Sequence, residues 1–160
     1  MKIFVSYSVG DTSLVAMIVS YLRLQGHSVD WWHQSRLPGK ETWPQIYGWI
    51  DSADLVLAVI TDNTVARAMA VGNEVGRAKA KSKMIIPLVA QSVQTSDLGC
   101  LSDLVQIRFN PQNPWPAILE LQRYTQPPAV RAAGQPTMSP AAGLIAVGAL
   151  IFLVAALSSE

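Results

Sequence analysis

A single cysteine, Cys100, stands in the 160 residues, so the chain cannot close a disulfide on itself. That fits a reducing cytosol. The two histidines, His27 and His33, have no Cys or His partner at metal-ligand spacing. They are assigned surface or packing roles, and no metal site is expected. Charge is also scarce: Asp, Glu, Lys and Arg make up 14% of the residues and the net formal charge is +1. No electrostatic case exists for nucleic acid as a partner. The start, Met1-Lys2-Ile3-Phe4-Val5, runs straight into a strand-like pattern and lacks the small-residue cleavage site of a signal peptide.

The shortage of charge is concentrated at one end. Residues 1–124 read as one globular domain, 125–140 as a Pro/Ala-rich linker, and 141–157 as a continuous apolar stretch, AAGLIAVGALIFLVAAL. Four prolines between Gln126 and Pro140 predict an extended spacer. Seventeen helical residues reach about 25 Å, enough for a short transmembrane helix. A buried core helix would keep a polar stripe, and this segment has none. Arg123 and Arg131 precede it and only Glu160 follows. The expected topology is therefore a single-pass C-terminal anchor with the globular domain facing the cytoplasm. Ala142 and Ala146 form a small-xxx-small pair suited to helix association.

Within the globular part, apolar runs alternate with helical patterns. Strands are predicted at Ile3–Tyr7, His27–Trp32, Asp54–Ile60, Met84–Val89 and Leu104–Phe109. Helices are predicted at Asp11–Leu24 (capped by Asp11 or Thr12), Trp43–Asp51, Thr64–Lys81 and Pro114–Tyr124. The alternation implies an α/β fold: a flavodoxin-like, doubly wound, five-stranded parallel sheet covered on both faces. Ligands then belong at the carboxyl ends of the strands, near Tyr7-Ser8, Trp32-His33, Thr61-Asp62 and Ala90-Gln91. Trp31 and Trp32 are adjacent, so one should face the core and the other the cleft.

On the predicted helix 64–81, the wheel gathers Val65, Met69, Gly72, Val75 and Gly76 as the buried face. Glu74 falls opposite, near Arg67, Arg77 and Lys81. By periodicity it is a solvated glutamate pairing with Arg77 at i+3.

The ordered motifs resemble a known family. Lys2-Ile3-Phe4-Val5-Ser6-Tyr7-Ser8 followed by Asp11 resembles the first box of TIR (Toll/interleukin-receptor) domains, here of the bacterial type. Leu37-Pro38-Gly39-Lys40 followed by Trp43 resembles the second box. Ser52-Ala53-Asp54 leading into Leu55–Ile60, and Ile85-Ile86-Pro87-Leu88, resemble the third and fourth strands. Many TIR domains carry Trp or Cys three or four residues before their catalytic glutamate. Here Ala70 and Val71 stand there, which implies different helix packing.

The resemblance implies the TIR fold over residues 1–124 and Glu74 as the catalytic carboxylate. It further implies Tyr7, Ser8, Trp32, Arg36 and Trp43 as substrate-binding residues, with Pro38 and Gly39 in a loop that mediates contact between TIR domains. The implied reaction is hydrolysis of the nicotinamide–ribose bond, with NAD+ as substrate and no further cofactor. Its setting is immune or anti-phage signalling by a membrane-tethered homo-oligomer. The alternatives are a non-catalytic TIR adaptor, a nucleoside deoxyribosyltransferase-like enzyme, and an apolar helix that is itself the effector.

Overall fold

Five apolar runs pair side by side in the computed structural model, which describes residues 1–32, 42–66 and 68–126. The strands are β1 (Lys2–Ser6), β2 (Ser28–Trp31), β3 (Leu55–Ile60), β4 (Met84–Ala90) and β5 (Ile107–Phe109). They form one parallel sheet in the order β2-β1-β3-β4-β5. Every residue of β3 is buried, as a parallel sheet covered on both faces requires.

The helices are α1 (Thr12–Leu24), α2 (Trp43–Ser52), α3 (Asp62–Val65), α4 (Ala68–Ala80) and α5 (Trp115–Thr125). Successive side chains of β1 point to opposite faces. Ile3 and Val5 pack with Val15, Ile18 and Leu22 of α1 and with Ile118 and Leu121 of α5. Phe4 packs instead with Val56, with Ile46 and Ile50 of α2, and with Ala78 of α4. Burying one such Leu, Ile or Phe contributes about 1.5–3 kcal/mol. Tyr21 locks α1 to α5: its ring meets Trp115 edge-on at 6.0 Å, and its hydroxyl donates to Gln122 Oε1 at 3.2 Å.

Chain direction across the sheet reverses between β1 and β3, because β1 leads outward to β2 while β3 leads toward β4 and β5. In doubly wound sheets the carboxyl edge at such a switch point is where ligands bind.

The expected order of elements holds, and three particulars differ. The predicted helix 64–81 is two helices, α3 and α4. The expected last strand shortens to Ile107–Phe109 and follows a 3₁₀ stretch at Thr95–Leu101. Asp11 places its carboxylate on other partners rather than capping α1, and Thr12 Oγ1 donates back to the Val9 carbonyl at 2.7 Å. Among the described residues no helix is long and apolar enough to cross a membrane. The anchor expected at 141–157, and the expected linker beyond Gln126, lie outside the described residues.

Candidate functional site

β1 ends in Ser6, a fully buried serine on a strand otherwise made of apolar core residues after Lys2. Alternation puts Ser6 on the Phe4 face, under α4. Its register partner on β3 is Ala58, so two small side chains lie together on that part of the sheet. Glu74 descends onto them from α4. It is 7% exposed, and its Oε2 accepts a hydrogen bond from the Ser6 hydroxyl. Among the described residues no cation pairs with it. Burial pushes the Glu74 carboxyl up to about 7, and the Ser6 bond pulls the other way.

This position corrects the wheel. The buried face of α4 is Val71, Glu74, Val75 and Ala78, while Met69 is 82% exposed and Gly72 and Gly76 are exposed. Val65 belongs to α3, so its phase does not carry into α4. Arg77 turns away from Glu74 and makes a two-pronged contact with Asp51 of α2, at 2.9 and 2.6 Å. Its guanidinium also lies 5.1 Å from the centre of the Tyr47 ring.

Beyond Ser6 the chain forms a second polar cluster. Tyr7 donates its hydroxyl to the Trp32 carbonyl, tying the end of β1 to the end of β2. Its ring lies 5.8 Å from that of Trp31. Burial raises the Tyr7 phenol above its usual value. Hydrogen bonding with Thr12 offsets part of that, and the charge of Glu74 adds to it. Ser8 is buried in extended backbone, and among the described residues its hydroxyl has no hydrogen-bond partner. Asp11, also buried, accepts from Thr61 Oγ1 at 2.6 Å and from Asn63 Nδ2 at 2.8 Å. That pair of bonds fastens the loop after β1 to the loop after β3. The two loops are pressed together: a Cβ on Gly10 would meet the Asn63 side chain at 3.0 Å.

The TIR-domain family model matches residues 3–121. The chain belongs to the TIR-domain family. No curated protein matches it. Among solved structures, the TIR domains of the activated Roq1 resistosome directly recognizing the pathogen effector XopQ have a similar fold. The TM-score is 0.65 at 11% identity, over 78% of this chain and 98% of that one. The CMP N-glycosidase BcmB of Clostridium botulinum is also similar, with a TM-score of 0.56 at 19% identity over 76% of this chain and 99% of that one. At these identities the likenesses speak for the fold.

The TIR fold brings several of the expected site residues together and leaves others apart. Tyr7 and Trp32 share a hydrogen bond, and Tyr7 senses the charge of Glu74. Trp31 and Trp32 are both half-buried, so neither is the core residue of the pair that alternation suggested. Trp31 packs with the α1 side and Trp32 with the α2 side, its ring 6.1 Å from that of Trp49. Trp43 opens α2 on the surface, its ring against Tyr47 at 5.6 Å. Arg36, Pro38 and Gly39 lie outside the described residues.

Sequence reasoning passed over Ser6 as a partner of Glu74, and over the Asp11–Thr61–Asn63 cluster. A lone serine ending an apolar strand was the only signal for the first. For the second, Asp11 read as a helix cap and Thr61-Asp62 as the end of a strand, with nothing to join them.

Proposed function

We propose that this TIR domain cleaves the nicotinamide–ribose bond of NAD+, with Glu74 as the catalytic carboxylate. The observation that carries the reading is a carboxylate buried at the carboxyl edge of the sheet, beside the switch point between β1 and β3, with a neutral hydroxyl as its described partner. Burying such a group costs stability, and groups perturbed in this way concentrate at functional sites.

The chemistry needs little else. Nicotinamide is a cationic substituent on ribose and leaves as a neutral base, taking the electron pair of the C1′–N bond. Positive charge develops on the ribose ring, and an ionised Glu74 stabilises it. Water then bonds to C1′ and releases a proton, giving ADP-ribose. An adenine nitrogen or another base at that position gives a cyclised or exchanged product instead. The unpartnered Ser8 hydroxyl is available for a ribose hydroxyl, and the Tyr7 and Trp32 rings for the nicotinamide face.

The likeness to a CMP N-glycosidase favours a second reading, in which the scissile N-glycosidic bond belongs to a nucleotide rather than to a dinucleotide. The likeness to TIR domains in a resistosome supports assembly of TIR domains with one another. The apolar segment 141–157 would hold such assemblies at a membrane, where confinement raises local concentration.

The test is turnover of NAD+ and of CMP by the concentrated full-length chain, with product identification, beside Glu74→Gln. The expected result is nicotinamide release by the parent and a loss of about 100-fold or more in the variant. CMP cleavage without NAD+ cleavage selects the second reading. Equal cleavage by parent and variant overturns Glu74 as the catalytic carboxylate, and cleavage of neither substrate leaves the adaptor reading.

A further inference from the structure

Ser6 is chemically out of place unless it serves Glu74. It sits on the second strand in from the edge of the sheet, flanked on both sides by β2 and β3. The residues before it, Ile3, Phe4 and Val5, are all core hydrophobics, and Ser6 itself has no exposed surface. Most buried hydroxyls find a partner, and the described partner of Ser6 is Glu74 Oε2, 68 positions away in sequence. The strand fixes Ser6 from below, and Ala58 leaves room beside it.

We propose that Ser6 is a positioning residue for Glu74: its hydroxyl holds the carboxylate in one orientation and favours the carboxylate over the carboxylic acid. The proposal rests on the catalytic reading of Glu74 for its consequence in turnover, but the Ser6–Glu74 coupling stands independently of it.

Few other groups compete for that control. Just after β1 the titratable neighbour is Tyr7, whose phenol is neutral across the working range. The described faces of β3 and β4 under α4 are apolar throughout. On α2, Asp51 is engaged by Arg77 and Tyr47 lies beneath the same guanidinium. On α3, Asp62 accepts from Ser92 at 2.7 Å, and Asp11 is held by Thr61 and Asn63. Arg67 lies outside the described residues.

The experiment titrates Glu74 directly in the full-length chain, by carboxyl carbon NMR with Glu74→Gln to assign the signal. Ser6→Ala should raise the Glu74 midpoint by about one pH unit. Ser6→Thr, which keeps the hydroxyl, should stay near the parent, and Ser6→Cys, a weaker donor, should fall between. In turnover, Ser6→Ala should lose about fivefold in kcat at pH 7 with KM unchanged, and recover at pH 9. A merely structural role would not give recovery at high pH. An unchanged midpoint in both Ser6→Ala and Ser6→Cys overturns the proposal. A shifted midpoint in a chain that cleaves no N-glycoside keeps the coupling and sinks the catalytic reading instead.

Discussion

The two ends of the sheet handle polar groups in opposite ways. At the amino end, charges are exposed and paired. Asp54 Oδ2 accepts from the Lys2 backbone at 2.7 Å, Asp51 holds Arg77, and Lys83 reaches the carbonyls of Asp51 and Ala53 at 2.6 and 3.0 Å. The Arg77 guanidinium keeps Asp51 below the usual carboxylate range. At the carboxyl end, Ser6, Ser8, Asp11, Thr61, Thr64 and Glu74 are all buried. There the carboxylates rest on neutral donors, and among the described residues the Ser8 hydroxyl has no hydrogen-bond partner. A fold selected only for stability would look like the amino end everywhere. The carboxyl end buries a carboxylate at a cost in stability, and in doubly wound sheets that edge is where ligands bind.

The contrast predicts a ranked series of effects. The largest follows from Glu74→Gln, which should abolish turnover yet stabilise the fold at alkaline pH. The folded-state carboxyl titrates near 7 and the unfolded one near 4.5. The native state therefore binds the proton more tightly, and stability from this group is full below the unfolded value and lost as pH rises through 7. At pH 8–9 the variant should gain up to roughly 3 kcal/mol over the parent, and near pH 4 almost nothing. Thermal melts of both chains across pH 4–9 check this.

Next comes Asp11→Ala. It leaves the Thr61 hydroxyl and the Asn63 amide without their acceptor and unfastens the loop carrying Tyr7 and Ser8. The expected loss is about 2 kcal/mol in a denaturant melt, with a larger fall in turnover than stability alone explains. Tyr7→Phe is milder, because it removes only the hydroxyl that meets the Trp32 carbonyl and Thr12, about 1 kcal/mol. It should raise KM more than it lowers kcat. The smallest effect belongs to the amino end. Arg77→Ala breaks an exposed ion pair that salt already screens. It should leave turnover intact and change the melting temperature only slightly, less at high salt. If Arg77→Ala matched Asp11→Ala in effect, the contrast between the two ends would fail.

The sequence made the architecture readable because β3 and β4 are long apolar runs and α1 and α2 have clear amphipathic spacing. Gly26, at φ 81°, turns the chain between α1 and β2. Boundaries moved by a residue or two where capping chemistry was ambiguous, as at Asp11. The wheel around Glu74 failed for a definite reason. Ala68–Ala80 is mostly Ala, Gly and polar residues, so its own apolar signal is weak. The phase was borrowed from Val65, across a break between α3 and α4. The family motif found Glu74, but periodicity could not place it in the interior. Contacts such as Ser6–Glu74 and Asp11–Thr61 span 68 and 50 residues and become visible only when the sheet aligns the strand ends.

The most direct test of the central claim is the pH dependence of NAD+ turnover by the full-length chain between pH 5 and 9. If an ionised Glu74 carries the reaction, kcat rises with pH through a single step near 7, and Glu74→Gln removes both the rate and the step. A rate that is flat, or that falls as pH rises through 7, would contradict Glu74 as the working carboxylate.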